Sequence, residues 1–316
     1  MITTNLIRTS TAPQGTESLA ANVGHTPLIH MKRLDPSLAP GVQVYAKAEW
    51  FNPGGSIKDR PALNIITTAM MQGQLGPGKR LLDSTSGNMG IAYATFGAAM
   101  GFPVTLVIPG NASRERMNVL RALGAELVIS DPLEGSDGAI RVARQMASAE
   151  PDHYFYANQY DNPANWLAHY RTTGPELVEQ TGGKITHLVA GLGTSGTLMG
   201  TGRYLRAYNP AVRLVGVQPD APFHGLEGLK HMPTALQPGI YDPGLPDQIV
   251  AVATEAAYEM ARRLAREEGL FVGISAAAAA QAALQVAATL EHGVVVVIFP
   301  DAGYKYLGES FWEAVS

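Results

Sequence analysis

The sequence predicts an α/β fold of two domains, each a mainly parallel twisted sheet with helices on both faces. Three observations carry this expectation. Strand-like segments alternate with helical patterns along most of the chain. The strands are short, apolar and β-branched, as sheets covered on both faces require. A length of 316 residues suits about two such units.

In order, residues 1–23 are polar and read as an arm, and Gly24-His25-Thr26-Pro27-Leu28 opens the ordered structure. A strand is expected over 43–48. Proline and glycine then force a turn, Asn52-Pro53-Gly54-Gly55-Ser56-Ile57-Lys58-Asp59-Arg60. Pro61 suits a helix's first turn, and Ala62, Ile65, Ile66, Ala69 and Met70 form the apolar stripe of a helix over 62–72. Strands over 80–82, 104–108, 126–129 and 153–157 alternate with helices over 89–100, 114–123 and 137–149. A helix near 169–180, a strand over 186–190, a helix over 198–208 and a strand over 212–217 follow. Segment 219–244 has many prolines and little periodicity, and reads as an excursion over the surface. Helices over 254–268 and 275–290 precede a last strand, 294–299. The run Ala276–Ala280 reads as close helix packing or simple helix propensity.

Composition narrows the function. Apolar residues make up 46% and charged residues 16%, an ordinary soluble globular balance. A net charge of −4 without a basic stripe argues against a nucleic-acid partner. The N-terminus lacks a signal-peptide core, and the longest aliphatic run, 294–298, is far too short to span a membrane. Zero cysteines exclude disulfides, thiolate metal sites and cysteine nucleophiles, which fits a cytoplasmic location. The eight histidines show no metal-ligand spacing, so no metal is expected, and no G-x-S-x-G supports a serine hydrolase.

Chemistry is expected at Lys58, at a strand–loop–helix junction where α/β folds bind ligands. A lysine fixed and partly desolvated there loses proton affinity and becomes a nucleophile toward an aldehyde. Flanked by Asp59 and Arg60, it also fits a solvated charge cluster, and the segment alone favours that reading. Ser84-Thr85-Ser86-Gly87-Asn88-Met89-Gly90 offers hydroxyls, a carboxamide and N–H groups at a helix start, a setting suited to a carboxylate. Gly191-Leu192-Gly193-Thr194-Ser195-Gly196-Thr197 lets backbone and hydroxyls ring a phosphate. It also matches G-x-G-x-x-G, with Asp220 near the place of a ribose-binding acid, so an NAD-dependent dehydrogenase competes. Against that, Asp220 lies beyond the strand and the fingerprint comes late. Gln159 to Asn165 could contact a ligand or serve as loop and cap. Ser275 at a helix start reads on its own as an N-cap.

Taken together, these segments resemble the cysteine synthase family, fold-type II pyridoxal-phosphate enzymes that perform β-replacement. Besides the two glycine turns and the Lys58 turn, the match includes Gly24 to Leu28, Asn162-Pro163-Ala164-Asn165, Thr172-Thr173-Gly174-Pro175-Glu176 and Gly273-Ile274-Ser275. Ala168-His169-Tyr170, Thr186-His187-Leu188 and Gln218-Pro219 look most like the cysteine synthase B branch. The resemblance implies pyridoxal 5'-phosphate held covalently by Lys58, which would later move the substrate α-proton. It implies that Gly193, Thr194, Ser195, Gly196 and Thr197 hold the cofactor phosphate, Asn88 its ring hydroxyl and Ser275 its pyridine nitrogen. Thr85, Ser86, Asn88, Met89 and Gln159 would bind the substrate carboxylate. It further implies a smaller mobile domain over 44–160, a larger one from 1–43 and 161–316, and a homodimer.

The activity so implied is a transferase reaction of cysteine biosynthesis, joining an activated serine to a reduced sulfur donor such as sulfide or thiosulfate. A neutral hydroxyl partner does not keep the pyridine nitrogen protonated, which favours loss of a β-substituent. Condensation with homocysteine, as in cystathionine β-synthase, is the alternative; the chain has no room for that enzyme's regulatory domain. Three departures bear on this. Met89 stands where a Thr is usual, Ala277 where a Gly is usual, and Asp220 where the O-phosphoserine branch has an Arg. The last favours O-acetylserine, unless Lys230 or His231 supplies the missing charge.

Overall fold

The computed structural model describes residues 18–85 and 87–313. Its strands form two sheets. The larger has six strands in the order β1 (Leu28–Met31), β2 (Gly41–Ala48), β10 (His292–Phe299), β7 (His187–Gly191), β8 (Arg213–Pro219) and β9 (Gln248–Val252). Only β1 runs antiparallel in it. The smaller, all parallel, has the order β5 (Glu126–Ser130), β4 (Val104–Pro109), β3 (Arg80–Ser84), β6 (Tyr154–Tyr156). The boundary expected at 44 therefore falls inside β2, a strand of the larger sheet.

Helices α1 (Asp59–Met71), α2 (Asn88–Met100), α3 (Arg114–Ala122) and α4 (Gly135–Ala149) follow the expected alternation. The helix expected near 169–180 is two helices, α5 (Pro163–Arg171) and α6 (Thr173–Gln180). Asn162 caps α5 by accepting from the Ala164 N–H, and Thr172 breaks the axis at φ −125°, ψ −67°. Then come α7 (Gly196–Tyr208), α8 (Thr254–Arg263) and α9 (Ile274–Ala287). The expected 254–268 helix ends in a wider turn, Leu264–Glu268, closed by Gly269 at φ 70°. Neither β1 nor β9 is legible in the sequence, because both are short edge strands with mixed exposure.

The core settles the alanine run. Ala276 to Ala280 are all fully buried in α9, between α8 and the larger sheet, so small side chains serve close approach. No helix among the described residues is long and apolar enough to cross a membrane.

Candidate active site

The Lys58 turn is tied down at every step. Asn52 Oδ1 accepts from the Gly24 N–H at 2.8 Å, while its Nδ2 donates to the Glu49 carbonyl and carboxylate. Gly55 takes φ 75°, which a side chain resists. The Asp59 carboxylate accepts from the Gly54 N–H, and the Ile57 N–H donates to the Pro300 carbonyl at 2.9 Å, joining the turn to the end of β10. Buried with little solvation, Asp59 has its pKa raised to about 6.

Asp59 and Arg60 are buried, which removes the reading of a solvated charge cluster. Arg60 binds Glu49 through Nε and Nη2 at 2.7 and 2.8 Å, and Glu176 through Nη1 and Nη2 at 2.6 and 2.8 Å. The fully buried Lys47 donates to Glu176 Oε2 at 2.6 Å and to the Thr26 carbonyl. His25 and Thr26 complete the cluster through the His25 N–H to Glu176 and the Thr26 hydroxyl to Glu49. Three sequence pieces, 24–28, 52–60 and 172–176, thus converge on one ionic knot behind Lys58. Its cations hold the Glu176 pKa down to about 2 against the opposing effect of burial.

Lys58 itself is half-buried at the head of α1 and faces a cavity of about 930 Å³. Burial pushes its amine pKa down, with Asp301 opposing. The cavity opens at the C-terminal ends of strands from both sheets, the usual ligand position in such folds. Thr85, Asn88, Met89 and Gln159 line it from the smaller sheet's side, and Gly193, Thr194, Ser195, Thr197 and Ser275 from the other. Ser86 lies outside the described residues. Gln159 donates from Nε2 to the Ser84 carbonyl, and Thr85 Oγ1 accepts from the Gly87 N–H.

Between β7 and α7 the glycine turn is built for close approach. Ser195 holds φ 67°, unusual for a residue with a side chain, and its buried hydroxyl has no partner. A Cβ at position 193 would stand 2.3 Å from the Gly228 carbonyl, and one at 196 would stand 2.1 Å from Asn165 Oδ1. Asn165 in turn donates to the Gln159 carbonyl and to Thr194 Oγ1, bracing the turn from behind. Gly196→Ala should therefore cost about 1–3 kcal/mol of stability, read by urea unfolding, because Asn165 is not free to move.

Ser275 is the second residue of α9, with Gly273 in the cap position, so it is not the N-cap its sequence context suggests. It is buried and lines the cavity. Asn88 begins α2; its Nδ2 donates to Asp301 Oδ2 at 2.6 Å and its Oδ1 accepts from Lys305 Nζ at 2.7 Å.

The family pattern described as pyridoxal-phosphate dependent enzyme matches residues 19–301. The chain belongs to this family. It is 50% identical over 296 residues to the cysteine synthase of Aquifex aeolicus, covering 92% of this chain and 90% of that one. It is 40% identical to cysteine synthase B of Pseudomonas aeruginosa over 94% of this chain and 97% of that one. Its fold is similar to a crystal structure of O-acetyl serine sulfhydrylase isoform 3 from Entamoeba histolytica, with a TM-score of 0.89, 34% identity and coverage of 100% and 96%.

The residues of this pyridoxal-phosphate enzyme fit the cofactor. The unpartnered Ser195 hydroxyl and the glycine turn suit its phosphate, and Lys58 stands in the same cavity. Of the three departures, Met89 and Ala277 are both buried apolar groups: Met89 packs in the smaller sheet's core while touching the cavity, and Ala277 fills α9's core face. Asp220 is exposed and does not line the cavity, so its charge does not bear directly on a bound ester. Lys230 and His231 do line it, but Lys230 lies 3.7 Å from Asp137, and His231 bonds Thr234.

Sequence reading missed Asp301, Lys305, Tyr306 and Arg116, all grouped near Asn88 or at the cavity. Asp301 had one signal, its place just past the terminal strand. Arg116 pairs through Nη1 and Nη2 with the two carboxylate oxygens of Glu227 and lies over the Tyr306 ring, 5.6 Å from its centre. The 219–244 excursion, which carries Glu227, is thus a wall of the site.

Proposed function

We propose that this enzyme makes L-cysteine by β-replacement, exchanging the β-substituent of an activated serine for a reduced sulfur donor such as sulfide or thiosulfate. O-Acetylserine, the substrate in the name of the similar Entamoeba histolytica structure, is the favoured one and O-phosphoserine the second. What carries the reading is that the amine of Lys58, the vacant hydroxyl of Ser195 and the neutral hydroxyl of Ser275 share one cavity. When bound, the cofactor supplies an electron sink beside the substrate α-carbon.

The protein's own groups divide the remaining work. Lys58 Nζ, its proton affinity reduced by burial, takes the α-proton and returns it as the reaction requires. Thr85 with the head of α2, where Asn88 and Met89 lie, holds the substrate carboxylate with its hydroxyl and backbone N–H groups, and Gln159 lines the same subsite; the family resemblance adds Ser86. Gly193 to Thr197 anchor the phosphate. Ser275, a hydroxyl and not a carboxylate, would hold the pyridine nitrogen without fixing a proton on it, a setting that would favour β-exchange. The unit expected over 44–160, apart from the β2 residues 44–48 that belong to the larger sheet, would act as the smaller, mobile body carrying the carboxylate subsite. A homodimer in the cytoplasm completes the reading.

Purified protein should be yellow and should release L-cysteine from O-acetylserine and sulfide. A colourless protein that binds NAD would overturn the assignment. Ser275→Asp should keep the cofactor but lower kcat for β-replacement about tenfold or more, since a carboxylate there fixes the nitrogen's proton. Comparing cofactor content with steady-state rates checks it.

A further inference from the structure

Asn88 is held at both ends by ionic groups on the strap that follows β10. Asp301 Oδ2 accepts one of its amide hydrogens at 2.6 Å, and Lys305 Nζ donates to its carbonyl oxygen at 2.7 Å. The reverse orientation would aim the carbonyl at a carboxylate and the NH2 group at an ammonium, so the two charges fix which way the amide faces. Nδ2 keeps a second hydrogen beyond the one given to Asp301. Asn88 can therefore donate into the cavity, while its carbonyl is occupied.

The strap is itself immobilised. Tyr306 donates its hydroxyl to the same Asp301 Oδ2 at 2.8 Å, and Asp301 is fully buried. Asp301 Oδ1 has no partner and lies where a Cβ at position 273 would stand 2.0 Å away, so the carboxylate fits only against a glycine. This accounts for Gly273 in the Gly273-Ile274-Ser275 piece. Lys305 Nζ also donates to the Gly54 carbonyl at 3.2 Å, within the turn that carries Lys58. One ammonium thus spans the Lys58 turn and the head of α2, which follows the smaller sheet's β3.

We propose that Asp301 and Lys305 are positioning residues: they lock the Asn88 carboxamide as a donor toward the cavity and hold it in register with the Lys58 turn. The inference rests on the proposed role of Asn88 toward the cofactor ring oxygen. It assigns function to two residues that need not touch substrate. Outer partners that orient a contacting group commonly change affinity or activity about 10–100-fold when removed, by analogy with metal sites.

The test uses cofactor-loaded enzyme and three variants, Lys305→Gln, Lys305→Arg and Asp301→Asn. Lys305→Gln removes the ammonium from a half-buried site and should fold with a near-native melting temperature. Its cofactor dissociation constant, from spectral titration of stripped protein, should rise about tenfold, and its visible band should shift in position or pH dependence. Lys305→Arg should restore both. Asp301→Asn should shift the band in the same assay, because an amide opposite Asn88 no longer dictates its orientation. A wild-type protein that never acquires a visible band defeats the proposed function itself. A wild-type protein that loads normally, beside a Lys305→Gln variant with the same band, pH profile and dissociation constant within twofold, overturns this inference and leaves the function standing.

Discussion

Lys58→Ala is expected to give a folded, colourless protein whose turnover falls by more than about 10³-fold, in the upper range for loss of a proton-transferring side chain. The expected effect is large because in the proposed reaction one amine serves both as the attachment point and as the base. No neighbouring group can substitute in place: Lys305 is committed to Asn88 and Gly54, and Lys47 is sealed in the ionic knot. Folding should be spared, since the Lys58 amine makes no hydrogen bond among the described residues and its side chain is half-buried. A stability change within about 0.5 kcal/mol is expected by urea unfolding. An absorbance spectrum and a cysteine assay on the same preparation check both halves. A variant that keeps the band and more than a tenth of the activity would remove Lys58 from the centre of the reaction.

Glu176→Ala should be the most destabilising single change near the site, though Glu176 faces away from the cavity. It strips a partner from Arg60 and Lys47 at once and leaves the His25 N–H without its acceptor. Breaking a buried pair from one side costs about 3–5 kcal/mol, because an uncompensated charge stays behind. Glu179→Ala, exposed on the same helix, should change stability by less than about 0.5 kcal/mol. Urea denaturation of both variants compares the two. Cofactor affinity should fall with Glu176→Ala as well, since the knot holds the Lys58 turn.

The same carboxylate predicts a pH dependence. Its folded pKa of about 2 lies below the ordinary 4.5, so the folded state favours the charged form. The contribution is complete above about pH 4.5 and is lost as pH falls toward 2. Acid unfolding followed by circular dichroism should show this loss in the wild type and its absence in Glu176→Gln.

The sequence reveals the alternation of strands and helices because both-face burial writes itself as short apolar runs. It hides β1 and β9, where edge strands bury little and their composition carries no period. Lys58, Ser195 and Ser275 stand out through the family resemblance of their whole segments, while local context alone favours a charge cluster for Lys58 and a cap for Ser275. The knot is not legible: Lys47, Glu49, Arg60 and Glu176 look like ordinary surface charges, and only three-dimensional convergence shows them buried. Asp301 and Lys305 escape for the same reason, since their partner Asn88 lies more than two hundred positions earlier. Ser275 shows the opposite error, a residue that local context names a cap while the cap is Gly273, two residues earlier, and the helix starts at Ile274.

The pairing of β2 with β10 has a bearing on how the molecule is born. The second strand of the larger sheet lies beside the last one, and the Ile57 amide waits for the carbonyl of Pro300. A nascent chain can assemble the four-stranded layer from contiguous sequence while still on the ribosome. The other layer must remain unfinished until β10 emerges, so closure of a long loop sets its pace. The cradle of Lys58 is then completed only once β10 has been made, and a chain ending before residue 292 would lack it.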